Sequence, residues 1–132
     1  MSQIRHLSGR TWEKMLKDSG VDVFNGAQGR ILYVLWEHGQ LTISEIGKLT
    51  SLAKTTLTSM LDRMEAGGLI KRVPDRFNRR QIFILITEKA RGYRGKYDEL
   101  SERMNDIFYA GFDDEEIANF EDKLRRIINN LE

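Results

Sequence analysis

The sequence predicts a mainly helical fold with one small β-hairpin: a winged helix-turn-helix, with further helices before and after it. Three observations predict it. Apolar residues recur at spacings of three and four through most of the chain, in segments separated by glycines and capping residues. The pattern changes to short strand-like runs only between Leu69 and Thr87. Those runs directly follow two short helical segments joined by a tight turn, where a wing belongs.

The first segment carries Ile4, Leu7, Thr11, Trp12 and Met15, which predicts an amphipathic helix from about Gln3 to Lys17. Gly20 to Phe24 reads as a loop. Asn25 is a suitable N-cap, with Gln28 at the capping-box position, and Gly39 ends the helix that buries Ile31, Leu32 and Leu35. Thr42 and Glu45 repeat the capping pair ahead of Ile43, Ile46 and Leu49. The next helix starts near Ala53, has an apolar face of Leu57, Met60, Leu61 and Met64, and stops at Gly67 and Gly68. Leu69–Val73 and Gln81–Thr87 read as strands around a polar turn from Pro74 to Arg80. A long helix is expected from about Glu88 to Tyr109, weakened by Gly92 and Gly95 and broken by Gly111. Asp113, with Glu116 three residues on, caps a last helix bearing Ile117, Phe120, Leu124, Ile127, Ile128 and Leu131. That stripe needs a covering surface, either within the chain or in a homodimer formed with the other outer helices. The expected organisation is one domain with three parts. Residues 1–24 and 88–132 are dimerisation helices, and 25–87 is the winged lobe.

Composition narrows the function. The chain has 132 residues, 40% hydrophobic and 31% charged, enough for one core with a well-solvated surface. No apolar run suits a membrane span and no secretory signal opens the chain, so a cytoplasmic protein without a membrane partner is expected. The absence of cysteine excludes disulfides, thiolate nucleophiles and Cys-based zinc sites. His6 and His38, the two histidines, have no second metal-type ligand at helical spacing, so no metal is expected. No nucleophile elbow, Gly-rich phosphate loop or other cofactor motif is present, so neither an enzyme nor a cofactor is expected. Net charge is +1, but it is unevenly placed. Residues 54–80 hold seven Lys/Arg against three Asp/Glu, a net of +4, whereas residues 98–132 hold four against eleven, a net of −7. A basic middle and an acidic tail suit a protein that turns one face to a polyanion.

The helix from Lys54 to Glu65 leaves Lys54, Thr55, Thr58, Ser59, Asp62 and Arg63 outward. It is roughly 18 Å long, which fits a DNA major groove. Short hydroxyl side chains near its start allow close approach to base edges, and the first-turn N–H groups favour phosphate. Arg63 is better placed for the backbone. Arg76, Arg79 and Arg80 cluster in the hairpin turn, where an arginine-rich tip can enter a minor groove. A threonine-rich first turn also occurs as an ordinary cap. The alternative function is a winged helix used for protein–protein contact, without specific DNA readout.

At this point the sequence resembles the MarR family of bacterial winged-helix regulators, from about Asn25 to Glu132. The stretch LTISEIGKLTSLAKTTLTSMLDRMEAGGLIKRV is similar to the family's helix-turn-helix and first wing strand. PDRFNRRQIFILIT is similar to its wing, and GFDDEEIANFEDKLRRIINNLE to its C-terminal helix. The resemblance implies a homodimeric, DNA-binding repressor on a pseudo-palindromic operator. It places recognition helices in successive major grooves and wings in flanking minor grooves. It implies that Lys54, Thr55, Thr58 and Ser59 face bases or nearby phosphates, and that Arg63 contacts the backbone. Arg79 and Arg80 belong to the wing, with Asp75 bracing a wing arginine. Ser59 stands where many members carry a long basic residue, and Asn78 replaces the usual wing Asp. Gly29 stands where an aromatic or apolar residue is common, which predicts looser packing there. The chain before Asn25 is short for the family. Many members are relieved by small phenolic or lipophilic effectors. Trp12, Tyr33, Trp36, Tyr93 and Tyr97 are candidates to line such a cleft, or simply aromatic core and interface packing.

Overall fold

The computed structural model describes residues 2–21 and 24–132. Residues 22 and 23, in the expected Gly20–Phe24 loop, lie outside the described residues. The chain forms two compact units, divided between Leu100 and Ser101.

In the first unit, helix α1 (Ser2–Asp18) buries Leu16. Helix α2 (Gly26–His38) is started by Asn25, whose side chain accepts from Gln28 N–H while the Gln28 side chain accepts from Asn25 N–H. Gly39, at φ +85°, ends α2 with a backbone turn that a side chain would resist. The chain then enters a short strand, β1 (Gln40–Thr42), before helix α3 (Ile43–Thr50). Thr42 and Glu45 form the capping box of α3. Ser51, in the left-handed region at φ 58°, closes α3 and leaves three residues before helix α4 (Lys54–Ala66). Leu57, Leu61 and Met64 turn inward from α4 and Met60 packs against the same core.

Strands β2 (Ile70–Pro74) and β3 (Ile82–Ile86) form the hairpin. The sheet has three strands rather than two, in the order β1-β3-β2, and all pairs are antiparallel. The Gln40–Thr42 strand was not expected, because three residues carry too little alternation to register a period. Only the partner strand, with Leu41 opposite Ile84, makes them a strand.

The long helix expected from Glu88 is interrupted. A one-turn helix α5 (Glu88–Arg91) gives way at Gly92 and Tyr93 to α6 (Arg94–Phe108). In a continuous helix the carbonyl of Ala90 would accept from Arg94 N–H. It accepts instead from the Trp36 indole Nε1–H at 3.2 Å and from Tyr93 N–H at 3.2 Å. A tertiary hydrogen bond has thus taken over the acceptor where glycine already weakens the helix. The Arg94 guanidinium then donates to the Trp36 carbonyl at 3.0 Å and pairs with Glu37 at 2.7 Å, tying α6 to the end of α2.

The second unit holds the end of α6, a turn at Gly111 (φ +87°) and α7 (Asp114–Leu131), which begins with the Asp113/Glu116 capping box. None of the α7 residues is buried, although Phe120, Ile127, Ile128 and Leu131 line one side of it.

Candidate nucleic-acid interface

The start of α4 is built to leave its threonines unoccupied by capping. Its N-cap is Ala53, which has no side-chain hydrogen bond to give. The first-turn N–H groups are therefore left without a side-chain acceptor, in the position where helices receive anions. Lys54, Thr55, Thr56, Thr58, Ser59 and Arg63 are all exposed. The Thr58 hydroxyl donates to the Lys54 carbonyl at 2.9 Å, which turns its oxygen lone pairs outward as acceptors.

The wing is a short, internally braced tip. Asp75 N–H donates to the Gln81 carbonyl and Gln81 N–H to the Asn78 carbonyl, each at 3.0 Å. The Asp75 carboxylate accepts from Phe77 N–H at 2.8 Å, and the Asn78 side chain accepts from Arg80 N–H at 3.1 Å. These are two successive Asx turns. Among the described residues Asp75 pairs with no arginine, and the oxygen that accepts here serves the wing's own backbone. Arg76, Arg79 and Arg80 are exposed.

Between the two elements runs an open groove of about 570 Å³. Lys54 and Thr58 of α4 and Arg80 of the wing line it, together with Ser44 and Lys48 of α3 and Gln81. The structure thus brings Lys54 and Thr58 of the helix cluster and Arg80 of the wing cluster to one groove. Thr55, Ser59 and Arg63 of α4 and Arg76 and Arg79 at the tip are not among the groove-lining residues. Sequence reasoning missed Lys48. The period that sends Ile46 inward leaves Lys48 exposed, but its position facing the wing depends on how α3 and α4 cross.

It also missed Arg72. From β2 this side chain reaches back to α4, pairing with Asp62 at 2.8 Å and Glu65 at 2.6 Å, while its backbone N–H donates to Glu65 at 3.3 Å. Partial burial works against the charged guanidinium. The hydrogen bonds and charges of Asp62 and Glu65 outweigh it and hold the pKa above the ordinary arginine value. Asp62, read as simply outward, is one half of this clamp between α4 and the wing.

Three of the five candidate effector residues, Trp12, Tyr33 and Trp36, converge on a fourth, Tyr97, which is 8% exposed. Its ring meets Trp12 and Trp36 edge-on, with centroids at 5.3 and 5.2 Å. It also meets Tyr33 at 6.3 Å and Phe24 at 6.3 Å, and Tyr93 meets Phe24. Such edge-to-face packing is that of an aromatic core. Gly29 belongs to it, and the expectation of loose packing there is corrected. A Cβ on Gly29 would stand 3.0 Å from Tyr97 Cε2 and 3.4 Å from Phe24 Cε2, so the glycine is what lets α2 approach the rings.

Comparison with known proteins fits this geometry. The sequence profile of the MarR family matches residues 24–82, from just before α2 to the first residue of β3. The chain belongs to the MarR family. The MarR chain is 39% identical over 93 residues to the HTH-type transcriptional regulator TtmR of Methylorubrum extorquens, covering 70% of this chain. It spans about half the length of that relative, 46%. Reduced AbfR, solved bound to DNA, superposes with a TM-score of 0.78 at 27% identity, over 99% of this chain and 89% of that one. PcaV of Streptomyces coelicolor, solved with its natural ligand, reaches 0.88 at 21% identity, over 99% and 90%, and shows the shared fold. The matched relatives are named as transcriptional regulators, and the family is not one of enzymes. No helix among the described residues is long and apolar enough to cross a membrane.

Proposed function

We propose that this MarR-family protein is a homodimeric regulator of transcription that binds double-stranded DNA at a pseudo-palindromic operator and represses from it. The observation that carries the reading is the single groove shared by Lys48, Lys54 and Thr58 of the helix-turn-helix and Arg80 of the wing. The groove also holds Ile43, Leu52, Leu57 and Ile82, and its lysine, arginine and hydroxyl groups suit a sugar–phosphate strand passing between two grooves. Thr55, Thr58 and Ser59 then read base edges in the major groove, with Lys54 beside them. Arg63 meets the backbone, and Arg76, Arg79 and Arg80 meet the flanking minor groove. Residues 25–87 form the DNA-binding lobe, while 1–24 and 88–132 supply the dimer contacts. AbfR, caught on DNA with the same fold, favours this over a protein–protein module, which needs no basic wing.

A small phenolic or lipophilic effector belongs to the same reading. PcaV is solved with a natural ligand. Of the five aromatic candidates, Tyr33, 45% exposed, and the half-buried Trp12 and Tyr93 have ring surface free to meet one.

The test is titration on random-sequence duplex and on duplex recovered from a random pool, at several salt concentrations. Log K should fall steeply with log salt, and Arg79→Ala or Arg80→Ala should flatten that slope by about one unit each. A wild-type protein whose affinity ignores salt is not a DNA binder.

A further inference from the structure

Phe77 sits at the tip of the wing with 97% of its surface in water, the most exposed large apolar residue among those described. It packs on nothing in its own chain. The tip around it is otherwise polar, Asp75-Arg76-Phe77-Asn78-Arg79-Arg80, and the two Asx turns hold the backbone on either side of it. An aromatic ring pinned outward on a braced tip gives nothing to the fold and is ready for a partner.

We propose that Phe77 is a minor-groove wedge: its ring enters the groove beside the wing, packs on the sugars and partly unstacks one flexible base step, so that the protein reads DNA deformability there. The inference rests on the DNA-binding reading above and deepens it. Two observations carry it from exposed ring to DNA. Arg76, Arg79 and Arg80 lie within three residues of Phe77 and are all exposed, so the ring is delivered by positive charge to a polyanion. Arg80 also lines the groove with Lys54 and Thr58. Three residues of chain reach about 10 Å, enough to pass one phosphate strand from that groove into the next. Apolar wedges in the minor groove act by this unstacking, and pyrimidine–purine steps yield to it most readily. The flanking sequence preferred by the protein should therefore contain TA or CA/TG steps under each wing, chosen for softness rather than for hydrogen-bonding groups.

The experiment uses wild-type protein and the duplex it recovers from a random pool, with 2-aminopurine replacing adenine at successive flanking positions. Fluorescence should rise on binding at one position per half-site, reporting lost stacking. Phe77→Ala should abolish that rise and weaken binding about tenfold, within the range of an aromatic–base contact. Phe77→Leu should keep most of both. Circular dichroism should be unchanged in either variant, since the ring packs on nothing. Wild-type binding with no fluorescence rise, or Phe77→Ala indistinguishable from wild type, overturns the wedge alone. Absence of any salt-dependent duplex binding by wild type overturns the DNA-binding reading and the wedge with it. Phe77-dependent binding to anionic phosphatidylglycerol vesicles, with duplex binding independent of Phe77, assigns the ring to a lipid surface and overturns the wedge.

Discussion

Thr58 decides more by the direction of its hydroxyl than by its presence. Because the proton is given to the Lys54 carbonyl, the oxygen faces outward as an acceptor, and its natural partners are the N6 amino group of adenine or the N4 amino group of cytosine. Thr58→Val keeps the shape and removes the acceptor. It should cost roughly 1–3 kcal/mol on the preferred site and relax preference at one base pair per half-site, in titrations on matched and substituted duplexes. Unchanged preference would move base reading to Thr55 or Ser59. Gly29 carries a second residue-scale prediction. Tyr97 is held by rings on several sides and has nowhere to give, so Gly29→Val should lower stability by about 1–3 kcal/mol in a denaturant melt. The sequence could show that Thr58 is exposed and that Gly29 is unusual. It could not show which ring lies opposite the missing side chain, since Tyr97 is far away in the chain.

At the scale of elements, recognition helix and wing are one piece because Arg72 ties β2 to two turns of α4. Arg72→Met should cost about 1 kcal/mol of stability, as partly exposed ion pairs do. It should also weaken duplex binding although Arg72 does not line the groove. Its salt slope should stay that of the wild type, because no phosphate contact is lost. A slope flattened by a full unit would make Arg72 a phosphate ligand instead. The start of α3 makes a pH prediction. Hydrogen bonds from Thr42, first from its backbone N–H and then from its hydroxyl, hold the Glu45 carboxyl below its ordinary value. A carboxyl lowered in the folded state contributes stability that is present above its unfolded pKa and is lost as pH falls through the folded one. Melting temperature should therefore fall on acidification less steeply in Glu45→Gln, which keeps the capping geometry, than in wild type. The capping boxes at Asn25, Thr42 and Asp113 were legible because each is written in four consecutive residues. Gly92 marked a weak point after Thr87, but the full break was not legible, because the Ala90 carbonyl is taken by an indole fifty-four residues upstream of it.

For the whole molecule, the exposed apolar side of α7 and the exposed Ile4 and Leu7 of α1 argue for a second copy. Light scattering at tens of micromolar should give a dimer mass, and a monomer would overturn the symmetric reading. Two-fold symmetry should place half-sites roughly 10 bp apart, centre to centre. Inserting about 5 bp between them turns one half-site to the far side of the duplex, so binding should collapse. The fold class, the helices up to Ala66 and the position of the wing followed from periodicity and glycines. The shared groove and the Arg72 clamp did not, since each joins segments whose meeting is set by the core.

The third strand of the sheet has a consequence for how the chain avoids sticking to its neighbours. Ile82-Phe83-Ile84-Leu85-Ile86 is five apolar residues without a charge, the kind of segment that templates pairing between molecules when it lies at a sheet edge. Here β3 lies at the centre, with β1 on one flank and β2 on the other. The open edges fall to β1, only three residues long, and to β2, which carries Lys71, Arg72 and Pro74. Both partners also precede β3 in the chain. As the protein emerges from the ribosome, its most aggregation-prone segment appears after the two strands that cover it have already been made.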